Sequence, residues 1–157
     1  MILSTICYIE KDNKYLMLHR TKKEKDINKN KWIGVGGKIE EGESPEECII
    51  REVKEETGLS VRNLKYCGMM HWHNTDTNDK YFVHFYKTTD YTGELIDKTD
   101  EGEVFFSSIE DLKKMELSPN FSEYLKMFLS DEHFEIFCNW NEEMKKDGEP
   151  EWNFEFH

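Results

Sequence analysis

The stretch from Gly37 to Leu59, GKIEEGESPEECIIREVKEETGL, decides the reading of this chain. Ser44-Pro45-Glu46-Glu47 is a helix start: Ser44 serves as N-cap, Pro45 suits the first helical position, and Glu47 completes a capping box. The helix is expected to run to Thr57 and to stop at Gly58, which tolerates a left-handed turn. At about 100° per residue, Glu52, Glu55 and Glu56 share one arc, while Ile49, Ile50 and Val53 share another that can face a core. Carboxylates one turn apart repel, and Arg51 and Lys54 relieve this only in part. Taken alone, the helix favours a solvated acidic face. The competing reading is a hard-cation site, because Mg²⁺ takes carboxylate oxygens and completes its shell with water and phosphate.

What precedes the helix separates the two. Gly34-Val35-Gly36-Gly37-Lys38 is a loop whose glycines let backbone approach a ligand closely. From Gly37 the order is five residues, Glu43, seven residues, then Arg51-Glu52-Val53-Lys54-Glu55-Glu56-Thr57-Gly58-Leu59. This resembles the Nudix box, Gly-x5-Glu-x7-Arg-Glu-aliphatic-x-Glu-Glu-x-Gly-aliphatic. Every fixed identity and both aliphatic positions match without insertion or deletion. An accidental acidic helix would not also place Gly37, Glu43, Arg51 and Gly58. The flanks Leu16-Met17-Leu18-His19-Arg20 and Lys31-Trp32-Ile33 are similar to the MutT-like branch, which includes enzymes that hydrolyse oxidised purine nucleotides.

The resemblance implies roles. Glu52, Glu55 and Glu56 would hold metal ions, with the Gly36 carbonyl as a further ligand; Mg²⁺ is the expected ion and Mn²⁺ a substitute. Glu101, in the acidic loop 97–103, would supply another carboxylate, with Asp100 and Glu103 as rivals. Arg51 would orient a box glutamate and Glu43 would brace the loop–helix junction. Lys38 would contact phosphate, and Arg20 would join it in binding substrate. Trp72 is a candidate to stack on a purine, against an ordinary core tryptophan. Asn120 is a candidate to read the base edge, against an ordinary helix-start asparagine. Ile33, where some relatives carry a polar residue, and Leu117-Ser118-Pro119-Asn120 both count against selectivity for 8-oxo-dGTP. His71 and His73 share a strand face but lack a third ligand of suitable spacing, so they read as structural or surface histidines rather than a zinc site.

Outward from this motif, Ile2 to Glu10 and Tyr15 to Arg20 read as a hairpin turning at Asp12-Asn13-Lys14, and Trp32 to Ile39 as a short extended piece interrupted by Gly34, Gly36 and Gly37. Leu59 to Asn74 and Tyr81 to Thr89 read as a longer hairpin, and Glu103 to Ser107 as a short strand. Ser118-Pro119 opens a second helix to about Ser130, and His133–Trp140 pairs with Trp152–Phe156. That order predicts an α/β or α+β domain; the resemblance makes it a Nudix fold, a mixed β-sheet sandwiched between helices, as one domain over 1–157.

The remaining composition narrows the partners. A net charge of −12 argues against a nucleic-acid polymer or an anionic membrane, both of which select basic faces. An anionic substrate then needs a metal ion to neutralise its approach. The four cysteines (Cys7, Cys48, Cys67, Cys138) form no Cys-x-x-Cys pair, and nothing reads as a signal peptide or membrane span. A reduced cytoplasmic enzyme, monomeric or homodimeric, is expected. Its function would be Mg²⁺-dependent cleavage of nucleoside triphosphates, oxidised purine nucleotides such as 8-oxo-dGTP foremost, to monophosphate and pyrophosphate. The alternatives are a Nudix hydrolase of nucleotide sugars or dinucleoside polyphosphates, and a non-catalytic Nudix-fold binding module.

Overall fold

Neighbouring residues of the first strand belong to different cores. In β1 (Ile2–Lys11), Cys7 and Ile9 join one buried cluster and Tyr8 the other. In β2 (Lys14–Arg20), Leu16 and Leu18 side with the first cluster, Tyr15 and Met17 with the second. Successive side chains of a strand point to opposite faces, so this hairpin carries a core on each side. Asp12 and Asn13, at φ 51° and 61°, make its two-residue turn.

The computed structural model describes residues 1–20, 31–96, 98–99, 102–112, 114, 131–141, 143 and 151–156, with backbone alone at 20, 31–33, 98–99, 151–154 and 156. After β1 and β2 come β3 (Lys31–Ile33), β4 (Val35–Lys38), α1 (Pro45–Thr57), β5 (Ser60–Arg62), β6 (Lys65–Asn74) and β7 (Asp79–Thr88). Then follow β8 (Asp90–Thr92), β9 (Lys98–Thr99), β10 (Gly102–Ser108), α2 (Ile109–Leu112), β11 (Phe134–Trp140) and β12 (Glu151–Phe156). The main sheet runs β12-β11-β6-β7-β1-β2-β10-β9, with β3 on β2 and β4 on β1. It is mixed: β1–β7 and β11–β6 are parallel, the other pairs antiparallel.

The extended piece at Trp32–Ile39 is interrupted at Gly34, and its halves pair with different strands, β3 with β2 and β4 with β1. Two expectations need correction. The strand expected from Leu59 to Asn74 also divides, because Asn63 sits at φ 51°, a left-handed turn that Asn tolerates. The detached β5 pairs with β8, tied by Asn63 Nδ2 donating to Asp90 at 2.6 Å and Thr88 Oγ1 to the Arg62 carbonyl at 2.6 Å. Ile50, grouped above with the core arc, is 45% exposed, while Ile49 and Val53 are fully buried. It lies about 100° around the helix from Ile49, beyond the stripe that the sheet covers. The helix expected at 118–130 lies outside the described residues.

The helix α1 has the ends its sequence predicts. Ser44 Oγ accepts from the Glu47 amide at 3.2 Å, and Glu47 accepts in return from the Ser44 amide at 3.5 Å. Gly58 closes the helix at φ 80°, its amide bonded to the Lys54 carbonyl at 3.0 Å. A Cβ there would also lie 2.8 Å from the Glu94 carbonyl oxygen. Gly58→Ala should therefore lower stability by roughly 1–2 kcal/mol, read as a lower urea midpoint at unchanged slope. An unchanged midpoint would contradict this account of the helix end.

Candidate active site

Rotation about α1 sorts the three box glutamates by depth. In helical angle, Glu55, Glu52 and Glu56 step progressively towards Ile49, with Glu56 within about 20° of it. Their exposure follows that order: the Glu55 side chain is 61% exposed, that of Glu52 15%, and residue Glu56 5%. The face expected to bind cations thus runs from solvent to the helix–sheet junction. Among the described residues, no three His, Cys, Asp or Glu side chains stand close enough to form a ready-made ion site.

Arg51 organises this end of the helix. Its Nε and Nη2 donate to the two Glu43 oxygens at 2.7 and 3.0 Å, its Nη1 to Glu52 Oε1 at 2.7 Å, and its Nη2 to the Lys38 carbonyl at 3.2 Å. Glu55 stands 3.6 Å from the same Nη1. Glu43 also accepts from the Glu40 amide at 3.0 Å, which closes the turn before the helix. The geometry brings Arg51, Glu43 and Glu52 together. Hydrogen bonds from Arg51, then from the Glu40 backbone, hold the Glu43 carboxyl down at about 2. Conversely, Glu43 raises the Arg51 guanidinium further above its already high range.

The glycine loop is β4 itself, paired to β1 with Gly36 opposite Ile6, Gly37 opposite Thr5 and Lys38 opposite Ser4. A Cβ on Gly37 would sit 2.5 Å from the Glu52 carboxyl carbon, and one on Gly36 would fall 2.0 Å from the Thr5 carbonyl oxygen. Backbone thus excludes a larger side chain at Gly36, whereas at Gly37 one would displace the Glu52 carboxyl. Glycine at 37 is what lets Glu52 lie against the loop.

The other expected residues are more scattered. Lys38 is exposed at the end of β4. Trp72 is half-buried on β6, packed against the cluster that contains Met70 and Phe134, with its ring 6.0 Å from Trp140. Register puts Trp72 opposite Tyr81 and Met70 opposite Val83, and Val83 pairs with Ser4. Ser4 is the partner of Lys38, so Lys38 and Trp72 look onto one face of the sheet, in adjacent rows. Arg20 ends β2, but its side chain, Glu101 and Asn120 all lie outside the described residues. His71 stacks on Phe82 at 4.4 Å, and His73 bonds Asn78 and Asn139 at 2.8 and 3.2 Å.

Two buried residues at the loop went unread in the sequence, Thr5 and Cys48. Their one sequence signal is that Cys48 precedes Glu52 by a helical turn, which puts both on the loop side of α1.

A capped helix thus packs on a mixed sheet, with a glycine strand folded against its arginine–glutamate end. The NUDIX domain family matches residues 2–128, so the chain belongs to the Nudix family and is a Nudix hydrolase. It is 26% identical over 118 residues to YvcI of Bacillus subtilis, an uncharacterised Nudix hydrolase, covering 73% of this chain and 71% of that one. A 72-residue stretch is 33% identical to the oxidized purine nucleoside triphosphate hydrolase of Danio rerio, covering 46% of each chain. Another of 67 residues is 36% identical to the NAD-capped RNA hydrolase NudC of Vibrio atlanticus; it spans 43% of this chain and only 23% of that protein. Among solved structures, a MutT protein of Bacillus halodurans superposes with TM-score 0.81 at 20% identity, over 99% of this chain and 98% of its own. At that identity the likeness shows the fold.

The Glu43 carboxyl is depressed from its ordinary 4.5, so its contribution to stability is present above that pH and is lost as pH falls towards 2. Glu43→Gln should therefore have a lower urea midpoint than the parent at pH 7, with the gap narrowing below pH 4.5. A gap that stays constant from pH 7 to pH 3 would remove the Arg51–Glu43 pair as its cause.

Proposed function

We propose that this chain hydrolyses the phosphoanhydride of purine nucleoside triphosphates, oxidised purines such as 8-oxo-dGTP foremost, releasing a monophosphate and pyrophosphate. The observation that carries the reading is the Arg51 clamp, which holds Glu52 against Gly37 while two further glutamates share its helix face. The oxygen-only donor set of Glu52, Glu55, Glu56 and the Gly36 carbonyl suits a hard cation, Mg²⁺ or in its place Mn²⁺. Such an ion, when bound, would neutralise phosphate charge and make a nucleophile of its water.

The chain's own residues do the rest. Arg51 keeps Glu52 oriented through its 2.7 Å bond, and the missing Cβ of Gly37 lets that carboxylate lie against β4. In this reading Lys38 and Arg20 contact the phosphates, and Glu101 adds a carboxylate from outside the helix. The base lies across the sheet face that carries Trp72, whose ring would stack on it, with Asn120 reading its edge. The likeness of one stretch to an oxidised-purine hydrolase supports this choice of base. We read residues 1–157 as one domain because β11 and β12, beyond the family match, continue the same sheet.

The matches to NAD-capped RNA hydrolases favour a second reading, a dinucleotide pyrophosphate as substrate. A panel of 8-oxo-dGTP, dGTP, dCTP, NAD and ADP-ribose with Mg²⁺ separates the two, with the phosphorus that receives ¹⁸O from solvent identified. Preferential turnover of 8-oxo-dGTP with pyrophosphate released is the expected result; equal turnover of dGTP would reject the selectivity.

Glu56→Gln should cut Mg²⁺-dependent turnover by about 100-fold or more and leave the thermal midpoint equal or higher, because one of three crowded carboxylates becomes neutral. Parent-level activity in that variant would withdraw Glu56 from the site.

A further inference from the structure

We propose that Thr5 and Cys48 are positioning residues that latch the glycine strand to α1, and so set where the Glu52 carboxylate stands for a bound divalent cation. The inference rests on the metal-site reading above. Both residues are sealed from solvent, Thr5 at 1% and Cys48 at 0% exposure, so neither touches a ligand itself. Thr5 Oγ1 donates to the Gly37 carbonyl at 3.3 Å and lies 3.2 Å from Cys48 Sγ. Cys48 Sγ reaches the same Gly37 carbonyl at 3.6 Å and the Lys38 carbonyl at 3.5 Å. Arg51 Nη2 donates to that Lys38 carbonyl as well, at 3.2 Å. Two successive carbonyls of the glycine strand are therefore held from below by one strand and one helix.

Burial is the main cause that lifts the Cys48 thiol to about 11, so it stays protonated and can donate. Its placement gives the latch a consequence. Cys48 and Glu52 are one helical turn apart on the same side of α1. The Glu52 carboxyl carbon already lies 2.5 Å from where a Gly37 Cβ would be. The Glu52 carboxyl thus packs against the Gly37 backbone, and a shift of the strand on the helix changes the space in which that carboxylate stands. A purely apolar pair at positions 5 and 48 would fill the same space but remove both side-chain donors from the Gly37 carbonyl and leave the Lys38 carbonyl to Arg51.

The test is a Mn²⁺ titration without nucleotide, following the free ion by electron paramagnetic resonance. It compares the parent with Thr5→Val, Cys48→Ala, Cys48→Ser and the Thr5→Val/Cys48→Ala double variant, each with a thermal midpoint to confirm folding. The single apolar variants should bind Mn²⁺ about threefold more weakly and the double about tenfold, the scale of one and two lost hydrogen bonds. Cys48→Ser, which keeps a donor, should stay within about twofold of the parent. Parent-like affinity in both apolar single variants, whatever their midpoints, overturns the latch, as does a Cys48→Ser variant no tighter than Cys48→Ala. A parent that binds no Mn²⁺ is a different failure: it removes the metal-site reading itself, and the latch with it.

Discussion

One guanidinium holds this end of the molecule together. Arg51 spends three of its nitrogens on Glu43, Glu52 and the Lys38 carbonyl, which belong to the turn before α1, to α1 itself and to β4. Arginine suits this because its planar fork meets Glu43 with two parallel bonds and still has a donor for each other group. A lysine would supply the charge as a point and lose the geometry. The clamp also answers an electrostatic problem. Glu43, Glu52 and Glu55 all lie near the start of α1 or on it, and Arg51 is within reach of all three.

The same helix must serve a core and a site. Ile49 and Val53 are sealed against the sheet, and their burial provides the hydrophobic gain that keeps α1 in place. Glu56 sits beside that stripe, nearly as buried, and belongs to the site proposed above. The gradient from exposed Glu55 to buried Glu56 arises from one rotation of about 100°. No special backbone is needed to produce it.

The sheet extends past the part of the chain that defines the family. β11 runs parallel to β6, and β12 closes the edge beside it. Phe134 and Ile136 of β11 enter the core shared by Met70 and Phe85, and Trp140 comes to rest against Trp72. The last strands therefore help to build the face that Lys38 and Trp72 share.

Short-range rules made much of this legible. The Ser44 cap, the Gly58 stop, the arc of glutamates and the Asp12-Asn13 turn are all settled within a few residues, and each is where its local chemistry demands. The spacing from Gly37 to Leu59 added the family and the chemistry. What the sequence could not determine rests on pairing across long separations. The pairing of β3 and β4 with different strands, the parallel docking of β11 on β6 and the meeting of Thr5 with Cys48, 43 positions apart, depend on strand register. Nothing local to Thr5 or Cys48 specifies a shared carbonyl, and nothing local to Glu56 says it will be buried while Glu55 stays in water. Those outcomes follow from which face of α1 the sheet covers, and that is decided only when distant strands close around it.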